Sequence, residues 1–292
     1  SPAGLKIDTN YVDLHLTEKG ETKNIEFQIR PSDNSKDGIL SVSIFSDNKL
    51  IANESLSIFN IDYDHIPKQY IIKPFFSKIK KMDLILPRKK VGYLMGAGDL
   101  VYENLKSIGL NIELIDINEI ENGDLDRFDT IILGIRAYNV NNELSFKNEL
   151  LFDYAKKGGN LLIQYNTTRN LLTNKLTPFY LSLSRDRVTE ENSTVKILNP
   201  LHRALNFPHK ITSEDFENWV QERGLYFPSK WDKNFTPILS MNDKNENEKL
   251  GSLLIGNHGK GKIIYTGLSF FRQIPSGVKG AYRLLINLIS LE

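Results

Sequence analysis

Side chains suited to binding a small molecule follow two apolar runs of the chain. Gln164, Tyr165 and Asn166 come directly after NLLI, and Arg136 comes directly after TIILGI. Amide, phenol and guanidinium groups can hydrogen-bond the hydroxyls of sugars and other polyols. General acid–base catalysis near neutral pH instead uses a histidine or a carboxyl group of shifted pKa, and neither follows these runs. These residues therefore predict a binding site.

Two interpretations of Arg136 are open from the sequence. Its guanidinium either clamps a carboxylate or a sugar hydroxyl, or it ties neighbouring loops together by donating to backbone carbonyls. Tyr138 and Asn139 follow it in GIRAYN, and the ring of Tyr138 or Tyr165 would supply a stacking face. On the binding interpretation, replacing Arg136 and Asn166 by alanine abolishes ligand binding and leaves folding intact.

A third candidate is the GAGD turn at residues 96–99, after the apolar run VGYLM. Gly96 and Gly98 permit a tight turn, and the N–H groups that open the next helix could hold an anion. The turn lacks the third glycine of a dinucleotide fingerprint and the Gly-Lys-Ser/Thr of a P-loop. We therefore favour Asp99 as a helix N-cap over Asp99 as part of a nucleotide site.

The common catalytic and metal-binding patterns are missing from the sequence. There is no cysteine, and the five histidines form neither an H-x-H nor an H-x-x-x-H pair. Thiolate nucleophiles are therefore excluded, and the sequence predicts neither a metal nor a cofactor. Asp99, Asp186 and Glu222 would support acid–base catalysis only if two of them face one pocket about 5–10 Å apart. For the charges of SRDRVT and of Glu222 and Arg223 we expect internal salt bridges.

Composition excludes two classes of partner. Lys and Arg total 37 against 36 for Asp and Glu, a net charge of +1, so no basic surface predicts a nucleic-acid partner. No apolar run approaches the roughly 20 residues of a membrane span. The chain begins at Ser1 without a signal peptide, and we expect a mature product or an excised segment.

The elements that position the candidate residues divide the chain into two domains. Residues 1–80 contain short segments that alternate apolar and polar side chains between polar turns, and they predict an all-β sandwich of the immunoglobulin or fibronectin type. The strand segments are 11–16, 24–29, 40–45 and 55–59.

Residues 81–292 show the pattern of an α/β domain. Continuous apolar strands alternate with amphipathic helices, which predicts a parallel sheet covered on both faces. Right-handed crossovers would place the first strand centrally, so the GAGD, GIRAYN and QYN loops would meet at one edge. The predicted strands are 91–96, 111–117, 129–134 and 161–166, the helices 100–109, 143–159 and 281–291, and a hairpin joins 250–258 to 262–268.

Several of these motifs in order resemble the carboxyl-terminal region of large bacterial proteins of the PIG-L (LmbE-like) deacetylase family. They include VGYLMGAGD, FDTIILGIRAYN, KKGGNLLIQYN and WVQERGLYFPSKWD. The resemblance implies that the parent protein is a zinc-dependent deacetylase of N-acetylated sugars, with its A-H-P-D-D zinc motif in an amino-terminal domain. This chain lacks that motif, because its only Asp–His pair is Asp64–His65 followed by Ile66. The resemblance therefore implies a catalytic domain as partner and favours an extracytoplasmic location.

The α/β part is also similar to the class I glutamine amidotransferase-like fold. In those enzymes a nucleophilic cysteine follows the strand after paired glycines. Here Tyr165 or Asn166 occupies that place and the chain has no cysteine, so glutamine hydrolysis by that mechanism is excluded.

These observations lead to one expectation and two alternatives. We expect a β-sandwich over 1–80 and a flavodoxin-like, amidotransferase-like domain over 81–292, which together form a non-catalytic accessory region that binds a carbohydrate or small polyol or organises domains. The first alternative is a sugar-processing hydrolase or isomerase that uses the carboxylates, and the second is a structural module packed on the catalytic domain. The expected ligand-binding residues are Gly98, Asp99, Arg136, Tyr138, Asn139, Gln164, Tyr165 and Asn166.

Overall fold

A computed structural model describes residues 4–9, 11–52, 55–122 and 124–292. The chain divides into two compact units, Ser1–Asp83 and Leu84–Glu292. The division lies close to residue 80, where the sequence changes from alternating segments to longer apolar runs.

The described residues of the first unit form four separate two-stranded antiparallel sheets. Its strands are β1 (Leu5–Ile7), β2 (Ile29–Pro31), β3 (Gly38–Leu40), β4 (Ile44–Ser46), β5 (Lys49–Ala52), β6 (Ser55–Ile61), β7 (Gln69–Phe75) and β8 (Ser77–Ile79). The pairs are β1–β2, β3–β8, β4–β5 and β6–β7. Most apolar side chains of these strands are exposed, and among the residues whose burial is described in this unit only Ser35 is buried.

Two of the strand predictions for this unit are wrong. Segment 11–16 forms no strand, and in 24–29 only Ile29 belongs to one. Segment 40–45 is divided between β3 and β4, whereas 55–59 lies within β6. Alternation alone is insufficient because a strand also needs a partner with which to pair and surface against which to pack.

The second unit is built on a seven-stranded sheet and confirms the α/β class. The strands are β9 (Val91–Leu94), β10 (Ile112–Leu114), β11 (Thr130–Leu133), β12 (Asn160–Gln164), β13 (Leu181–Val188), β14 (Val195–Ile197), β15 (Gly224–Trp231), β16 (Phe235–Pro237), β17 (Leu239–Met241), β18 (Leu253–His258) and β19 (Gly261–Thr266). The order of the sheet is β10-β9-β11-β12-β19-β18-β16, with parallel pairing from β10 to β19 and antiparallel pairing of β18 with β19 and β16. Two further antiparallel pairs, β13–β15 and β14–β17, lie outside it.

The helices connect these strands and close the core. They are α1 (Val101–Ser107), α2 (Glu119–Asn122), α3 (Ala137–Val140), α4 (Leu144–Lys157), α5 (Phe270–Gln273) and α6 (Lys279–Ile289), with 3₁₀ turns at Leu125–Arg127, Arg203–Leu205 and Ser213–Phe216. Every residue of β9, β11 and β12 is buried, as expected for parallel strands covered on both faces. None of the described helices is long and apolar enough to cross a membrane.

The position of β9 creates the switch point that the sequence predicts. β9 lies between β10 and β11, so the chain leaves β9 towards one side of the sheet and later returns on the other. The loops after β9 and β11 therefore diverge at their carboxyl ends, which is where open α/β sheets bind ligands.

A candidate binding site at the carboxyl edge of the sheet

Backbone hydrogen bonds join the three loops that the sequence places at one edge. The Ala97 N–H donates to the Ile135 carbonyl at 2.8 Å, and the Arg136 N–H donates to the Tyr165 carbonyl at 2.8 Å. Gly96 is required for this approach, because a Cβ there would lie 2.0 Å from the Ile135 oxygen. The loops after β9, β11 and β12 therefore form one continuous surface.

Asn166 and Tyr138 are structural residues within this edge, and neither is exposed (0 %). The Asn166 Oδ1 accepts the Tyr138 N–H at 2.9 Å, and its Nδ2 donates to the Gln164 carbonyl at 3.0 Å. The expected ligand contact by Asn166 and the expected stacking face of Tyr138 are wrong, because both side chains are sealed from solvent by the loops that they join.

Asn139 also joins neighbouring loops through side-chain hydrogen bonds to backbone groups, but it lies nearer the surface. Its Nδ2 donates to the carbonyls of Thr167 at 3.0 Å and Arg169 at 3.2 Å, and its Oδ1 accepts the Thr167 N–H at 2.9 Å. The side chain is half-buried. Its hydrogen-bonding groups are thus occupied by the neighbouring loop.

Asp99, Tyr93 and Gln164 form a hydrogen-bonded chain below the switch point. The Gln164 Nε2 donates to the Tyr93 Oη at 3.0 Å, and that hydroxyl contacts both carboxylate oxygens of Asp99 at 2.8 Å. The Val101 N–H also donates to Asp99, at 2.9 Å. Burial raises the pKa of the Asp99 carboxyl, although these hydrogen bonds oppose the shift.

Hydrogen bonds at the GAGD turn argue against its interpretation as an anion-binding site. The Ala97 N–H is bonded to Ile135, and the Val101 N–H at the start of α1 is bonded to the Asp99 carboxylate. Asp99 lies one residue before the N-cap position, Leu100, so its side chain serves the helix start much as a cap would. Gly98 has φ +94° with open space around it, and its role is to turn the chain.

Arg136 is one of three residues at this edge, with Tyr138 and Gln164, in which a buried side-chain atom has no partner among the described residues. The Arg136 Nε is buried and no described residue accepts a hydrogen bond from it. Its backbone is left-handed, with φ 57° and ψ 25°, a conformation that disfavours an arginine. Tyr165 and Asn166 do not have a positive φ. The strained left-handed residue therefore lies after β11 and not after β12, where the amidotransferase cysteine would be expected.

Two aromatic rings that the sequence did not single out, Tyr226 and Phe271, contact Tyr165, whose carbonyl accepts the Arg136 N–H. The Tyr165 ring stacks on Tyr226 with centroids 6.2 Å apart and contacts Phe271 at 5.2 Å, and the Arg272 guanidinium lies 4.7 Å from the Phe271 ring. Burial raises the pKa of Tyr165, while the positive charges of Arg136 and Arg272 oppose that shift. We call Arg136, Tyr165, Tyr226, Phe271 and Arg272 the aromatic–arginine patch.

The carboxylates proposed for catalysis do not interact with one another among the described residues. Glu222 is buried and ion-paired with the Arg187 Nη2 and the Arg272 Nε, each at 2.9 Å. Among the described residues no interaction joins any two of Asp99, Asp186 and Glu222, and no group of three His, Asp or Glu could hold a metal ion. The salt bridge expected for Glu222 is confirmed.

Comparison with known proteins gives no family for this chain. No family model and no curated protein matches it. Among solved structures, a cytoplasmic protein from Salmonella typhimurium is 14% identical, with 81% of this chain and 94% of that chain covered and a TM-score of 0.44. A second cytoplasmic protein, from Salmonella typhimurium LT2, is 13% identical over 81% of this chain and 95% of its own, with a TM-score of 0.42.

A β-galactosidase from Rahnella sp. R3 is also similar, at 14% identity and a TM-score of 0.42. The match covers 70% of this chain and 31% of that chain. Similarities this distant assign neither a family nor an activity.

Proposed function

We propose that this chain is a non-catalytic accessory region of a PIG-L (LmbE-like) deacetylase family protein and that it binds carbohydrate at the aromatic–arginine patch. The family assignment rests on the ordered motifs from VGYLMGAGD to WVQERGLYFPSKWD. In this proposal the second unit is a flavodoxin-like, amidotransferase-like domain and the first unit belongs to a β-sandwich. The zinc-dependent catalytic domain of the same parent chain is then its partner.

The observation that carries the proposal is a half-buried arginine beside Tyr165, a ring that contacts two more accessible rings. Tyr226 and Phe271 are half-buried, and Tyr165 supports them from beneath with only 6% of its surface exposed. Aromatic faces pack against the apolar face of a sugar ring, and an arginine can donate to its hydroxyls. The Arg136 side chain is half-buried, and its Nε is itself buried and has no acceptor within the described chain. A ligand hydroxyl would satisfy this nitrogen only after the side chain turns it towards solvent.

Binding of N-acetylglucosamine oligomers tests the proposal, measured by calorimetry on the full chain. Arg136→Gly removes the guanidinium and suits the left-handed backbone, so it should fold at least as well as the native chain. Asn170→Gly is the matched control, because Asn170 has φ 56° against 57° for Arg136. We expect Arg136→Gly to weaken binding about tenfold or more and Asn170→Gly to leave it unchanged. Absence of sugar binding, or equal binding by both variants, refutes the proposal.

One observation favours the enzymatic alternative. Asp99 has a raised pKa, caused first by burial, and lies at the switch point where α/β enzymes place catalytic groups. No second carboxylate among the described residues interacts closely with it except Glu103, through charge alone. Hydrolysis of a chromogenic glycoside panel that is lost in Asp99→Asn would establish this alternative. Equal background rates for the native chain and Asp99→Asn would dismiss it.

A further inference from the structure

A polar cavity lies between the segment before β14 and the 3₁₀ turn at Ser213–Phe216. Its volume is about 400 Å³, within the range of small-molecule sites. Hydroxyl, amide and charged side chains predominate among its lining residues, which are Asn192, Ser193, Thr194, Val195, Ser213, Phe216, Glu217, Asn218 and Arg223.

Arg223 is the buried charge of this cavity, with 5% of its surface exposed. Its Nε and Nη2 donate to the Ser193 carbonyl at 3.1 and 2.7 Å, and its Nη1 donates to the Phe216 carbonyl. A guanidinium has five N–H donors. These three bonds therefore leave two donors, one on each terminal nitrogen.

No carboxylate among the described residues forms an ion pair with Arg223. The adjacent Glu222 is ion-paired with Arg187 and Arg272. Glu191 interacts with Arg223 only through charge, and its carboxylate accepts the Gln221 N–H at 2.8 Å. Burial lowers the pKa of Arg223 to about 10, so the guanidinium still carries its charge at neutral pH.

A buried, charged group without a counter-ion is unfavourable unless something compensates it. Arg223 lines a cavity large enough for a monosaccharide, and its two remaining N–H groups suit the two oxygens of a carboxylate. We propose that this cavity is a second ligand site, in which Arg223 binds the carboxylate of a small hydroxyl-rich acid of the hexuronic-acid class.

The rest of the lining favours this class of ligand over other anions. Asn192, Thr194, Ser213 and Asn218 supply amide and hydroxyl groups for the hydroxyls of a sugar acid. Glu217 places a negative charge on the cavity wall, which disfavours the multiply charged phosphate or sulfate ion more than a single carboxylate. This inference does not depend on the aromatic–arginine patch.

Calorimetric titration of the full chain with D-glucuronate tests the site. D-glucose is the neutral comparison ligand and inorganic phosphate the comparison anion. We expect saturable binding of glucuronate that exceeds that of either comparison ligand by tenfold or more, because a hydrogen-bonded charge pair contributes about that factor. Failure of glucuronate to bind at millimolar concentration, or equal binding of glucose or phosphate, overturns the proposal.

Two variants place the binding at this cavity. Thr194→Trp fills the cavity from its exposed rim and leaves the hydrogen bonds of Arg223 in place, so glucuronate affinity should fall tenfold or more. The matched control is Thr236→Trp, which adds the same side chain at an exposed position of β16. Unchanged affinity in Thr194→Trp refutes this location.

Arg223→Lys tests whether Arg223 binds the carboxylate, because lysine keeps the positive charge but lacks the two parallel N–H donors of the guanidinium. Exposed Arg185 provides the matched control, Arg185→Lys. We expect a tenfold loss of glucuronate affinity only in Arg223→Lys. If that variant fails to fold, Thr194→Trp alone decides between the two outcomes.

Discussion

Replacing Asn166 by alanine should destabilise the second unit, although the residue type and its position at a strand end suggest a ligand contact. The side chain makes two hydrogen bonds to backbone groups, the Tyr138 N–H and the Gln164 carbonyl, and has no exposed surface. Alanine removes both bonds and opens no path for water. The variant should therefore fold but be less stable than the native chain, contrary to the expectation from the sequence that the exchange leaves folding unaffected.

The size of the effect follows from the two lost bonds. The Tyr138 N–H opens α3 and would remain buried without its acceptor, which costs about 1–3 kcal/mol, and the bond to Gln164 contributes about 1 kcal/mol. We expect the free energy of unfolding to fall by about 3 kcal/mol. For a unit of this size each 1 kcal/mol lowers Tm by about 2–4 °C, so Tm should fall by about 6–12 °C.

Tryptophan fluorescence during urea and thermal unfolding of the full chain is the appropriate assay. Both tryptophans, Trp219 and Trp231, lie in the second unit, so the signal reports that unit alone. Asn139→Ala is the matched control, because Asn139 joins the same loops but is half-buried. Water can replace its lost partners, and we expect a loss of about 1 kcal/mol.

The reasoning is refuted if Asn166→Ala changes the free energy of unfolding by less than about 0.5 kcal/mol, or by no more than Asn139→Ala does. Either result would mean that the buried bonds of Asn166 do not hold the loops together. Its amide would then again be a candidate for ligand contact.

Three further predictions use the same fluorescence assay. Burial favours protonation of Asp243, but hydrogen bonds from Thr189 and neighbouring groups lower its pKa. The ionised Asp243 therefore stabilises the fold above about pH 4, and this stabilisation is lost as pH falls through the lowered pKa. The difference in free energy of unfolding between the native chain and Asp243→Asn should accordingly shrink as the pH is lowered below about 4. Gly280→Ala should lower the free energy of unfolding by about 1–2 kcal/mol, because the added Cβ would lie 1.8 Å from the Asp215 carbonyl oxygen. This loss should exceed the gain from the better helix propensity of alanine. A higher free energy of unfolding in the variant would contradict the close contact. Glu222→Gln should cost about 2 kcal/mol through its ion pairs with partly exposed arginines, and a neutral result would contradict this.

The α/β architecture was predictable because it depends on patterns that are local in the chain. The apolar runs at β9, β11 and β12 are buried strands, and the amphipathic segment 143–159 contains α4. Connection handedness then placed β9 beside the switch point. The N-terminal strands were less predictable, since pairing decides whether an alternating segment becomes a strand.

Burial of individual polar side chains was not predictable from residue type. Asn166 and Arg136 both follow apolar strands, yet the structure satisfies the first internally and leaves one nitrogen of the second without a partner. The role of Tyr226 was equally hidden, because its contact with Tyr165 joins segments far apart in sequence. The deciding quantity is the position of neighbours from other elements, which no local pattern encodes.

The sequence by itself determined the parallel-sheet plan and the absence of thiolate chemistry, since periodicity and composition suffice for both. Only the tertiary structure decided the pairing of charges. The sequence predicted a salt bridge for each of the consecutive residues Glu222 and Arg223. Only Glu222 is ion-paired. Arg223 instead donates hydrogen bonds to backbone carbonyls beside a cavity. The physical reason is that an ion pair needs an opposite charge within about 4 Å, and the fold alone sets that distance.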